Sequence, residues 1–157
     1  MSRIPDLGRR GGGWVFLQSI LFVAVAAMRL TGVRWPHADR AYLLAAGLAL
    51  VVAGIALFAA ARVVLGRAFT PFPRPRENGG FRDGGPYRVV RHPIYAAVLL
   101  IAVGYALARA PLAFVPTALL AIVFDLKARR EEAWLAERHP EYDGYRRRTS
   151  RFLPFLY

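Results

Sequence analysis

Apolar and polar positions fall along this chain in long blocks rather than in alternation. Residues 41–61, AYLLAAGLALVVAGIALFAAA, are 21 consecutive positions without a charge, and a helix of about 20 apolar residues crosses the hydrocarbon of a bilayer. Residues 11–28, GGGWVFLQSILFVAVAAM, add 18 uncharged positions in which Gln18 and Ser19 are polar; they predict a span over about 11–30. From Pro93 to Phe124 there are 32 residues with one charge, Arg109, beside Ala110-Pro111 at the midpoint. That pattern predicts a helical hairpin with arms over about 93–108 and 110–126. Each arm gives roughly 24 Å of helix at 1.5 Å per residue, short of a hydrocarbon core of ~30 Å, a gap that snorkelling flanks or a thinned bilayer close. Gly104 and Pro116 fall inside the arms, where a neighbouring helix or a cavity must satisfy the loosened backbone, so each is a candidate border of a binding site. The expected fold is all-α, an integral membrane bundle of about four transmembrane helices in a single domain over 1–157.

Composition agrees. The chain is 56% hydrophobic and has 14 glycines, about 65% together, against roughly 45 to 50% for soluble domains on the same count. The 22 Lys and Arg divide as 3, 3, 7, 1 and 8 over the five segments outside the spans, so the first, third and fifth hold 18 of them. The positive-inside rule then places both termini and the long central loop in the cytoplasm, at a plasma or inner membrane. It also accounts for the net charge of +12 without nucleic acid as a partner. With no cysteine there is neither a disulfide framework nor a thiolate metal site. The three histidines, His37, His92 and His139, show no metal-ligand spacing, and no metal is expected.

An inert bundle needs only short loops, whereas residues 62–92 and 127–157 are long, charged and placed on one face. Function is expected there. The first segment is Pro-rich from Phe69 to Arg76, then carries Asn78-Gly79-Gly80 and Gly84-Gly85-Pro86-Tyr87, turns or close approaches of backbone to ligand. It ends in Arg91-His92-Pro93-Ile94-Tyr95, where Pro93 suits the first position of a helix and keeps His92 out of it. The free N–H groups of such a helix mouth favour a carboxylate, although Arg91 and His92 taken alone are more often interfacial snorkelling residues. In the second segment Lys127 and Glu131 share a helix face at i and i+4, and Glu132 turns about 100° away. Asp125, an acid at the bilayer boundary, requires a partner, either Arg129 at i+4 or an Arg from a loop. Trp134 and Leu135 suit a headgroup-level anchor.

Taken together, GGPYRVVRHPIY (Gly84 to Tyr95), an apolar hairpin, REEAWL (Arg130 to Leu135) and PEYDGYRRRTSRFLP (Pro140 to Pro154) resemble the isoprenylcysteine carboxyl methyltransferase family. The resemblance covers roughly residues 78–157, within a wider superfamily that includes phospholipid N-methyltransferases and small-thiol S-methyltransferases. It implies a membrane enzyme that uses S-adenosyl-L-methionine at the cytoplasmic face and releases S-adenosyl-L-homocysteine. Carried over by position, Tyr87, His92, Pro93, Ile94 and Tyr95 contact the cofactor, with the loop Gly80, Phe81 and Arg82 as a second contacting stretch. Glu131 holds the cofactor beside Glu132, and Arg91 suits the methionine carboxylate. Where the family places a substrate-facing Arg, this chain has Lys127, with Arg130 nearby; Lys lacks the bidentate fork. The implied acceptor is a lipophilic small molecule or prenylated carboxylate, thiol or amine entering from the lipid, with no obligate protein partner. The rivals are a phospholipid methyltransferase and a non-enzymatic membrane protein binding anionic lipid through its inner-face cations.

Overall fold

The computed structural model describes residues 5, 7–8, 11–72 and 82–154, and its architecture is all-α. Five α-helices follow one another: α1 (Gly12–Ala27), α2 (Arg40–Leu65), α3 (Pro93–Arg109), α4 (Phe114–Arg138) and α5 (Tyr142–Arg148). Three helical stretches, Gly12–Thr31, His37–Ala68 and Pro111–Arg138, are long and apolar enough to cross a membrane; α3, with 17 residues, is apolar but shorter. Their outward faces carry large apolar side chains such as Phe16, Val52 and Val63, the arrangement that lipid rather than water rewards.

Local signals set the helix ends. Arg62 donates to the Gly66 carbonyl at 2.8 Å, and Gly66 leaves the helix with φ of 51°, a conformation glycine reaches without strain. α2 thus runs four residues past the expected end at 61, and residues 66–68 add a 3-10 turn, so residues 62–68 prolong a span and 69–72 leave it as a turn. Pro93 occupies the first turn of α3 directly after His92, as expected. α4 runs on beyond the membrane arm expected to end near 126. It continues to Arg138, as the shared helix face expected of Lys127 and Glu131 requires, because Leu126 to Arg138 contains only good or tolerable helix formers and no glycine or proline. Pro116 sits in the first turn of α4, where no intrahelical bond is lost.

Across the bundle α2 packs on α3, α3 on α4, and α4 on α1. The α2–α3 crossing is very close: a Cβ on Gly104 would stand 2.5 Å from the Gly47 carbonyl oxygen, and one on Gly54 2.8 Å from that of Ala97. Small residues permit such backbone approach in membrane helices. Gly104 therefore serves helix packing, and neither it nor Pro116 borders the cavity described below. On the other side, Trp14 and Leu21 of α1 bury themselves with Leu120, Val123 and Phe124 of α4.

Candidate functional site

A cavity of about 250 Å³ lies where α1, α2, α3 and α4 meet the turns at 69–71 and 85–88. Phe22, Phe58, Leu65, Phe69, Val98 and Phe124 form its apolar wall. Its polar lining is Gln18, Tyr87, Arg91, His92, Tyr95, Lys127 and Glu131. A mostly apolar pocket with a few convergent polar groups is the usual form of a small-molecule site.

Three rings build the floor. His92 stacks on Tyr95 with centroids 5.3 Å apart and planes 1° from parallel, and Tyr95 stacks on Phe124 at 4.7 Å. The spacing His92-x-x-Tyr95 across the first turn of α3 places both rings over one edge of the helix mouth. The Tyr95 hydroxyl donates to Glu131 at 2.9 Å, and the Lys127 ammonium stands 5.1 Å from the Tyr95 ring centroid. Lys127 is 1% exposed. It donates to the Gln18 side-chain oxygen at 2.5 Å and to the Pro71 carbonyl at 2.8 Å, so its hydrogen bonds tie α4 to α1 and to the loop after α2. Burial, then the charge of Glu131, holds the Tyr87 hydroxyl well above the usual tyrosine range. It stays neutral and offers a ring face and a hydrogen bond rather than a base.

Behind the floor lies a charge cluster. Glu132, 4% exposed, accepts from Arg91 at 2.9 Å, from Arg151 at 3.1 Å, and meets the His92 Nε2 at 3.2 Å. Because a carboxylate only accepts, that contact requires a proton on Nε2, while Nδ1 lies 3.8 Å from a Glu131 oxygen. Arg91 also donates to the carbonyls of Arg146, at 3.0 Å, and Thr149. Backbone bonds Arg91 to Ser150 (2.8 Å) and His92 to Arg151 (3.1 Å) lay residues 149–152 along the mouth of α3. α5 is pinned by its buried Tyr142 and Tyr145, the latter donating to the Tyr87 carbonyl at 2.7 Å. Asp125 takes both partners considered from the sequence, Arg129 at 2.7 Å and, from the C-terminal segment, Arg151 at 2.7 Å.

Of the residues singled out from the sequence, Tyr87, Arg91, His92, Ile94, Tyr95, Lys127 and Glu131 come together around the cavity. Pro93 is buried beside them as the helix start. Glu132 lies outside the lining, its carboxylate taken up by the cluster, and the Nε and Nη1 of Arg91 are likewise engaged by protein. Arg130 lies over the Trp134 ring at 4.5 Å, away from the cavity, and Arg82 is exposed. Gly80 and Phe81 lie outside the described residues. Sequence reasoning missed Gln18, whose one signal was polarity within an apolar block, and Arg151, which carried none. Among the described residues no group of three His, Cys, Asp or Glu side chains is arranged to hold a metal ion.

Helices long and apolar enough to cross a membrane, packed around a part-polar, part-apolar cavity, mark a membrane protein. By its match over residues 42–141, the chain belongs to the phospholipid methyltransferase family, within the superfamily that also holds the isoprenylcysteine enzymes. It is 39% identical over 85 residues to the cobalt-zinc-cadmium resistance protein CzcN of Cupriavidus metallidurans, covering 52% of this chain and 38% of that one. To the nickel-cobalt-cadmium resistance protein NccN of Alcaligenes xylosoxydans xylosoxydans it is 34% identical over 74 residues, 46% of this chain and 35% of that one. The chain thus aligns with little more than a third of either relative's length.

Proposed function

We propose that this chain transfers a methyl group from S-adenosyl-L-methionine to a lipophilic or small hydrophobic acceptor at the membrane boundary, most like O-methylation of an isoprenylcysteine carboxylate. The observation that carries the reading is one cavity holding Glu131, His92, Tyr87 and Tyr95 beside an apolar wall of Phe22, Phe58 and Phe124. These residues fit the cofactor chemically. Glu131 is a carboxylate able to accept from an amino group or ribose hydroxyls, and the tyrosine rings are π faces for a sulfonium. When bound, S-adenosylmethionine supplies an electrophilic methyl on sulfur, and S-adenosylhomocysteine remains.

The chain's own part is positioning and electrostatics, which is what methyl transfer asks of a protein. The Tyr95 hydroxyl orients Glu131, Glu132 fixes the ring of His92, and the apolar wall keeps water from the reacting atoms. Lys127 supplies a buried positive charge for an anionic acceptor. The site opens to the cytoplasm, with both termini on that side, in keeping with the 18 Lys and Arg of the inner segments. The family's name favours a second reading, methylation of a phospholipid amine; a buried cation among the lining residues favours the anionic acceptor over it.

Calorimetric titration of S-adenosylhomocysteine into purified protein in nanodiscs tests the reading. The expected result is micromolar affinity, weakened at least tenfold in Glu131→Ala. Lys127→Ala is expected to keep that affinity and lose turnover of a prenylcysteine acceptor. No binding at millimolar S-adenosylhomocysteine by folded protein overturns the reading and leaves a membrane protein that holds anionic lipid.

A further inference from the structure

α1 lies before the stretch that the family match covers, residues 42–141, and looks at first like an apolar anchor. Its two adjacent polar residues behave differently. Ser19 returns its hydroxyl to its own helix, donating to the Val15 carbonyl at 2.8 Å. Gln18 instead reaches across 109 positions of sequence to the Lys127 ammonium at 2.5 Å and itself lines the cavity. Four residues on, and therefore on the same helix face, Phe22 lines the apolar part and meets Phe124 edge to face at 6.3 Å. One face of α1 thus presents an amide and then an aromatic ring to the cavity, matched on α4 by Lys127 and Phe124.

The donors left over are specific. An ammonium has three N–H groups, and two of those of Lys127 are used by Gln18 and Pro71. The Gln18 amide nitrogen makes no hydrogen bond among the described residues. A lysine alone is a point charge that fixes no orientation. Beside a glutamine amide it becomes a two-point reader with a single positive charge, suited to a singly charged group with two free oxygens.

We infer that Gln18 is a specificity-determining residue: with Lys127 it reads a two-oxygen monoanion on the acceptor, a carboxylate or a phosphodiester, while the acceptor's apolar chain lies against Phe22 and Phe124. The inference rests on the proposed acceptor site and assigns the choice of acceptor to a helix outside the family-matched stretch. A site built to hydrogen-bond a polar group discriminates strongly against an analogue that lacks it.

The test compares two probe pairs by calorimetry in detergent with empty-micelle controls. One pair is S-farnesylthiopropionic acid and its primary amide, and the other is a lysophosphatidylethanolamine and the matching monoacylglycerol. Wild-type protein is expected to bind the member that carries the carboxylate or the phosphodiester at least tenfold more tightly in one pair, and the pair that discriminates identifies the source of the two-oxygen group. In Gln18→Leu the preference falls to within threefold, and in Gln18→Asn, one methylene shorter, to an intermediate value. Affinity for S-adenosylhomocysteine stays within twofold in both variants, showing the bundle intact. Absence of preference in wild type, or a preference that survives Gln18→Leu, overturns the inference while S-adenosylhomocysteine binding still stands. Loss of that binding in wild type removes the methyltransferase reading itself.

Discussion

Glu131 and Glu132 are neighbours on α4, and about 100° of helical rotation sends them into different surroundings. Glu131 is 26% exposed, faces the cavity and is met by the single hydroxyl of Tyr95. Glu132 is 4% exposed and fully enclosed by Arg91, His92 and Arg151. Two identical side chains thus divide into one carboxylate with capacity left for a ligand and one spent on architecture. The difference lies in how many protein donors each already satisfies, a property of the fold around the pair and not of the pair itself.

Substitution separates the two. Glu132→Ala leaves two largely buried guanidinium groups and His92 without their shared anion, a loss of about 3–5 kcal/mol for breaking a buried pair. A large fall in thermal midpoint in detergent is expected, whereas Glu131→Ala should keep the midpoint. Equal midpoints in both variants would erase the distinction. Next in size, Gly104→Val forces side-chain atoms against the Gly47 backbone; overpacking of this kind costs about 1–3 kcal/mol, measurable as a lower midpoint with S-adenosylhomocysteine affinity retained in the molecules still folded.

Tyr95→Phe removes the donor to Glu131 and keeps the stacked ring. A hydrogen bond to a charged group is worth about 1.5–3 kcal/mol at most, so a loss of S-adenosylhomocysteine affinity of roughly tenfold is expected by calorimetry, without a change in midpoint. The smallest effect concerns alkali. Burial raises the hydroxyls of Tyr87, Tyr142 and Tyr145 above the ordinary value. A folded-state value above the unfolded one, near 10, means that their contribution is complete below pH 10 and is lost as pH rises beyond it. Denaturant titrations from pH 8 to 11 should show that decline, with a shallower slope in Tyr145→Phe.

The bundle was legible because membrane helices announce themselves in blocks: the 21 uncharged residues of 41–61 and the Arg109-Ala110-Pro111 break lie close to what α2 and the α3–α4 turn became. The length of α4 was not, since charge marks where lipid stops and not where a helix does. Around the cavity, Tyr87, His92, Tyr95 and Glu131 were singled out through the resemblance to the isoprenylcysteine carboxyl methyltransferase family. The separate employment of Glu132 could not, because its partners Arg91 and Arg151 stand 41 and 19 positions away and a single sequence pairs no residues at such range. Gln18 had the same difficulty: polarity in an apolar block was visible, its partner 109 positions later was not.

The strap formed by residues 149–152 over the mouth of α3 carries a consequence for the order of events at the ribosome. Arg91 and His92 are translated nearly 60 residues before the carbonyls of Ser150 and Arg151 that receive their backbone hydrogens. Through that interval α3 can insert and pack against α2, but the backbone N–H groups at its mouth lack the carbonyls that receive them. The bundle is therefore an early product of synthesis and the bracing of its site a late one, so a nascent chain holds the lining of the cavity in the membrane before the strap that steadies it exists.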